Sequence, residues 1–197
     1  MMTQTLILAS SSQTRQELMN RLGLSYSIHV PDIDESAQDE MHADQLAYRL
    51  AHQKASLIAQ QHPDAIVIGS DQVAWRQAAP TNFIGKPLTA ENAIAQLQAN
   101  SGQTVCFSTA LSVQQHATGF EKTLVEHYSV TFRTLHLDEI KRYVAREQPL
   151  YCAGSFKCEG LGISLFEEMN GRDQTTLMGM PMIQLCHILR DLNILVP

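Results

Sequence analysis

The chain has 197 residues, of which 44% are hydrophobic and 17% charged. That balance excludes wholesale disorder and fits one domain, spanning residues 1–197, that folds without disulfides or a structural metal. Basic residues number 14 against 20 acidic ones, a formal charge of −6. This argues against a nonspecific binder of nucleic-acid polymers or membrane surfaces, while leaving room for a small anion held by a local group of cations.

Thr5 to Ala9 reads as a buried strand, and the serines Ser10, Ser11 and Ser12 follow it. The spacing of Leu18, Met19 and Leu22 predicts a helix from Gln13 to Leu22. A short strand is expected from Tyr26 to Val30, stopped by Pro31. The longest helix is predicted from Asp44 to Gln61, with Leu46, Ala47, Leu50, Ala51, Leu57 and Ile58 on one stripe. Ala65 to Gly69 reads as a second buried strand, and Thr89 as the N-cap of a helix carrying Ala93 and Leu97.

The texture then changes. Gln103 to Val113 and Leu124 to Phe132 are branched and partly alternating, and the polar stretch between them contains Gly119, as in a β-hairpin. Helices are predicted from Asp138 to Arg146 and from Pro181 onward. The sum is an α/β chain with a mixed sheet. No apolar run reaches the roughly 18 residues of a membrane span, and the N-terminal stretch lacks the basic start of a signal peptide. The four cysteines form no CxxC pair. A cytoplasmic protein with reduced thiols is the expectation.

Four segments carry residues suited to chemistry. In ASSSQTR, a strand feeds a serine-rich turn and then a helix, so free N–H groups, hydroxyls and the Arg15 guanidinium could hold a phosphate. Ser12 serves equally well as a plain N-cap. Asp71 follows directly after the predicted strand, beyond the carboxyl end where α/β sheets bind ligands, although an aspartate there also suits a simple turn. Lys54 falls on the apolar stripe of its helix and either snorkels outward or faces a cleft holding an anion. Lys86 is fixed between Gly85 and Pro87, and Asp32, Asp34 and Glu35 form an acidic loop of the kind that holds Mg²⁺ beside a polyphosphate.

Other signals are weak. Gly160-Leu161-Gly162 does not continue into a dinucleotide-binding fingerprint, no HExxH or GxSxG occurs, and His187 with Asp191 reads as a surface pair.

In order along the chain, LILASSSQTRQEL, DIDES, LAYRLAHQKA, IVIGSDQV, GKPLTAENA, FRTLHLDEIKRYV, YCAGSFKCEGLGISLFEEMNG and GRDQTTLMGMP resemble the Maf family of nucleoside triphosphate pyrophosphatases, from about Leu6 to Leu189. GSDQV and CAGSFKCEG are most similar to its 7-methyl-GTP branch; the thymidine/uridine triphosphate branch carries threonine after the aspartate and glutamine in the later motif. The resemblance implies a mixed twisted sheet with flanking helices, two lobes around a deep cleft as in inosine triphosphatases, and often a homodimer. It makes Asp71 the general base, with Glu35 as its acidic partner at a divalent metal, Mg²⁺ or Mn²⁺. Ser10, Ser12, Arg15, Lys54 and Lys86 become phosphate ligands, and Thr14, Gln72 and Glu159 the positions that separate substrate branches. The sequence departs from the family pattern at Gln13, where proline is usual, at Gln16, where the branch has arginine, and at Thr14, where it has an aromatic residue.

The implied reaction is hydrolysis of a nucleoside triphosphate to the monophosphate and pyrophosphate, with Asp71 taking a proton from the attacking water. Glu159 would favour the cationic 7-methylguanine, with Phe156 or Trp75 as stacking partner. The alternatives are dTTP, UTP or modified pyrimidine triphosphates as substrate, or a nucleotide-binding regulator of cell division.

Overall fold

A computed structural model describes residues 4–38 and 42–196. Met1 to Thr3, part of the N-terminal stretch considered above, lie outside them. The elements in chain order are β1 (Leu6–Leu8), α1 (Gln13–Asn20), β2 (Ser27–Ile28), α2 (Ala43–Gln61), β3 (Ile66–Arg76), β4 (Ala79–Ile84) and α3 (Ala90–Asn100). After these come β5 (Thr104–Gln115), β6 (Phe120–Phe132), α4 (Leu137–Glu147), β7 (Phe166–Gly171), α5 (Gln174–Leu177) and α6 (Met182–Asp191).

The sheet runs β2-β1-β3-β5-β6-β7, with β4 paired to β3 outside that path. Pairing is parallel among β2, β1 and β3 and antiparallel elsewhere, so the sheet is mixed as predicted. Its centre is the ladder of β3, β5 and β6. Gly119, at φ +69°, closes the turn between β5 and β6 in the left-handed region that glycine adopts without strain.

Three differences from the sequence reading bear on function. β3 does not stop at Gly69 but continues to Arg76, so Asp71 lies inside a strand rather than after one. Its second half, Ser70 to Arg76, mixes polar and apolar residues because one edge meets a cavity, and this blurs the apolar run that marks a buried strand. The strands β4 and β7 were not expected; their sequences, APTNFI and FEEMNG, are polar and carry Pro80 and Gly171. The stretch from Tyr26 to Val30 forms only the two-residue β2.

Apolar clusters lie at both ends of the sheet. At one end, α1 and α6 cover β1 and β3 through Leu18, Met19, Leu185 and Leu189. At the other, α3 and α4 close over the β5–β6 end around Phe107, Phe132 and Phe156. α2 packs across the middle. Its contact stripe is rich in alanine, which brings the helix unusually close: a Cβ on Gly69 would lie 2.6 Å from Ala51 O and 2.8 Å from Ala55 N. No helix among the described residues is long and apolar enough to cross a membrane.

Candidate active site

The cleft begins with a gap in the sheet. β1 pairs with β3 only as far as Ile68, and Ala9 N donates to Ile68 O as the last bond on that side. β4 joins the same edge of β3 at Ala74. Between these two strands the edge is uncovered among the described residues, and the alternation of the β3–β5 ladder aims the main-chain N–H groups of Ser70 and Gln72 into the opening. A cavity of about 880 Å³ occupies the gap and wraps around both faces of β3.

Odd-numbered residues of β3 face α2. Asp71 is therefore opposite Lys54, which the close packing at Gly69 brings within reach. Lys54 Nζ donates to Asp71 Oδ1 at 2.6 Å and lies 2.6 Å from Glu35 Oε1. Lys54 is 6% exposed and Asp71 8%, so this lysine faces the cleft and does not snorkel. Partial burial pushes the Glu35 carboxyl up, but the hydrogen bond and charge of Lys54, with the charges of Lys86 and Arg15, outweigh that and hold it below its ordinary value. Of the acidic loop, only Glu35 lines the cavity; Asp34 accepts a hydrogen bond from Ser36 N instead.

The ASSSQTR segment closes one end. Ser12 is the N-cap of α1, accepting from Arg15 N, and also lines the cavity, so its capping and ligand readings coexist. Ser10 Oγ accepts from Ser12 N and from Arg15 Nη1. Arg15 Nε donates to Gly179 O at 2.8 Å, and the side chain so held lines the cavity. Burial lowers the Arg15 pKa from its ordinary value, opposed by the charges of Asp71 and Glu35. Thr14 and Lys86 line the same cavity.

Even-numbered residues of β3 face α5, and here the sequence reading missed the main device. Gln72 Nε2 donates to Thr109 Oγ1, Thr176 O and Leu177 O. Two of these partners are carbonyls, which only accept, so the amide nitrogen must face them. Ser70 Oγ lies 2.7 Å from Ala110 O and 2.8 Å from Gly179 O. The GRDQTTLMGMP segment thus docks on the back of β3 through its carbonyls. A run of Thr and Gly after a charged turn gave no sign of this in one dimension.

Beyond Gln72 the cavity is lined by Phe107, Phe156, Cys158 and Glu159. Phe156 stacks edge-to-face with Phe107, Phe132 and Phe166. Glu159 is exposed and accepts from Cys158 Sγ. Trp75, the other stacking candidate, does not line the cavity; its Nε1 lies 3.5 Å from Ser108 Oγ on the α2 face of the sheet. Asp191 pairs with Lys122 rather than with His187.

Among the described residues no three His, Cys, Asp or Glu side chains cluster as a metal site. The donor set nevertheless suits Mg²⁺, which is commonly held by one or two carboxylates together with substrate phosphates. Glu35 and Asp71 converge on one point, the ammonium of Lys54.

The sequence pattern of the family described as Maf-like protein matches residues 5–192. A "Nucleoside triphosphate pyrophosphatase" from Acinetobacter baylyi is 68% identical over 98% of this chain and 97% of its own. Two proteins named "7-methyl-GTP pyrophosphatase" are also similar. The one from Alcanivorax borkumensis is 46% identical over 99% of this chain and 98% of its own, and that from Nitrosococcus oceani 47% over 95% and 92%.

Proposed function

The chain belongs to the Maf family and is a nucleoside triphosphate pyrophosphatase, and we propose that its substrate is 7-methyl-GTP and that Asp71 is its general base. The observation that carries this reading is one cavity in which the Lys54–Asp71–Glu35 cluster meets Arg15, Lys86 and the start of α1. A triphosphate is strongly anionic, and these cations and helix-start amides offset its charge while fixing its orientation.

Lys54 holds Asp71 by Oδ1, so Oδ2 takes a proton from the water that attacks the α-phosphorus. The α–β anhydride bond breaks, pyrophosphate carries away the electron pair, and the nucleoside monophosphate remains. Lys86 and Arg15 offset the charge on the departing pyrophosphate, and Ser10 and Ser12 donate to phosphate oxygens. Glu35 and Asp71 would hold a divalent cation with the phosphates, and such a cation supplies charge stabilisation to them.

The base lies toward Phe156 and Glu159, with Thr14 and Gln72 completing the specificity positions. A carboxylate beside a methylated, cationic guanine favours it over plain GTP. The two relatives named for 7-methyl-GTP support this choice, as does the glutamate in CEG.

Incubating the protein with Mg²⁺ and 7-methyl-GTP, GTP, dTTP and UTP, and reading pyrophosphate separately from orthophosphate, tests the reading. 7-Methyl-GTP is expected to be hydrolysed fastest. A preference for dTTP or UTP would replace the substrate and keep the chemistry, whereas binding without pyrophosphate release would favour a nucleotide-binding regulator.

A further inference from the structure

Ser70 is fully buried, adjacent to Asp71 in β3, and takes no part in the chemistry above. Its hydroxyl reaches two carbonyls, and both have another donor. Gly179 O accepts from Arg15 Nε at 2.8 Å. Ala110 O faces the main-chain N–H of Asp71 in the β3–β5 register. Neither carbonyl therefore needs the serine to satisfy it. What the hydroxyl does is fix the spacing between β5, β3 and the turn that ends α5.

That turn directs Arg15. Gly179 has φ +101°, a conformation that side-chain-bearing residues avoid, and it sets the direction of the carbonyl that Arg15 Nε meets. The neighbouring carbonyls of Thr176 and Leu177 are held by Gln72, and Thr109 Oγ1 also donates to Thr176 O. An arginine side chain carries considerable rotamer freedom, and anchoring Nε at Gly179 O, beside the longer bond from Nη1 to Ser10 Oγ, fixes the plane and direction of its guanidinium. Gly179 O is therefore a hub that joins the strand bearing Asp71 to the cation at the start of α1.

We propose that Ser70 is a positioning residue, which through the Gly179 carbonyl aims the Arg15 guanidinium at the phosphates of the bound nucleotide. The proposal rests on the reading of this cavity as a triphosphate site. Its signature is a loss of phosphate binding rather than of turnover, because Ser70 touches neither the substrate nor the Asp71 carboxylate.

The test is a double-mutant cycle between Ser70→Ala and Arg15→Lys, measured with 7-methyl-GTP as substrate and inorganic tripolyphosphate as competitive inhibitor. Ser70→Ala is expected to raise KM and the tripolyphosphate inhibition constant together by about 5–10-fold, with kcat altered less than about 3-fold. In the Arg15→Lys background it should add nothing, since the guanidinium it aims is gone. Ser70→Thr, which keeps the hydroxyl, should restore both constants. An equal effect in both backgrounds, a fall in kcat alone, or no change in either constant overturns the proposal. If Ser70→Ala does not fold, Ser70→Cys, of similar size but a much weaker donor, takes its place in the cycle with the same expected outcomes. An Arg15→Lys variant with unchanged KM and inhibition constant would instead defeat the phosphate role of Arg15, and the proposal with it.

Discussion

Lys54 Nζ lies 2.6 Å from Asp71 Oδ1, joining the fourth turn of α2 to the middle of β3. The contact exists because Gly69, two residues before Asp71 on the same face of the strand, lets the alanine stripe of α2 approach. Removing Lys54 takes from the buried Asp71 carboxylate the cation hydrogen-bonded to it. Lys54→Met is expected to destabilise the fold by about 3 kcal/mol. Combining it with Asp71→Asn should recover part of that loss, as read from urea unfolding of the two single variants and the double variant.

Gly69→Ala tests the same packing from the other partner. The added methyl would meet main-chain atoms of Ala51 and Ala55 at 2.6 and 2.8 Å, and neither can move without displacing α2. The cost should be about 1–3 kcal/mol. Activity should fall further than stability alone explains, because the shift separates Lys54 from Asp71; kcat measured well below the melting temperature separates the two effects.

Asp71→Asn keeps the shape of the side chain and removes the proton acceptor. Turnover of 7-methyl-GTP should fall by roughly 10²–10⁴-fold, while nucleotide binding, followed by calorimetry, stays largely intact. Normal turnover in the purified variant would remove Asp71 from the role of base.

The Glu35 carboxyl is held below its ordinary value in the folded protein, so it binds a proton less readily folded than unfolded. Its contribution to stability is therefore present above the unfolded carboxyl pKa, about 4.3, and is lost as pH falls through the lower folded value. The urea midpoint of the wild type should drop more steeply below pH 5 than that of Glu35→Gln. Parallel acid limbs for the two proteins would contradict the Lys54–Glu35 contact.

Burial, reinforced by the charge of Glu159, pushes the Cys158 thiol up to about 12. At pH 8 it is almost wholly protonated, and thiolate is the reactive form. Iodoacetamide labelling followed by peptide mass mapping should find Cys158 modified slowly in the wild type. Glu159→Gln should speed that labelling by lowering the pKa, and should also speed labelling of Cys152, whose thiol burial and the charge of Glu159 both raise, while Cys106 and Cys186 stay unaffected.

Several features of this protein could be read without coordinates. The stripe of Leu46, Leu50 and Ile58 defines α2, and its period already assigns Lys54 to the buried face, because side chains four residues apart share one side of a helix. The serine-rich turn before Gln13 likewise announces the cap that Ser12 provides for α1. Other features depend on contacts between distant segments. That β3 continues past Gly69 is decided by pairing with β5 over Val67 to Arg76, which supplies hydrogen bonds that no local apolar pattern reveals. Gln72 turns its amide nitrogen inward only because Thr176 and Leu177, more than a hundred residues away, present carbonyls there. Trp75 looks like a stacking residue by type, yet strand alternation turns it to the α2 face and away from the cavity. Local periodicity determines which face a side chain occupies within its own element. Which other element meets that face is settled by long-range hydrogen bonding and close packing, and it is there that Ser70, Gly179 and Arg15 become one unit.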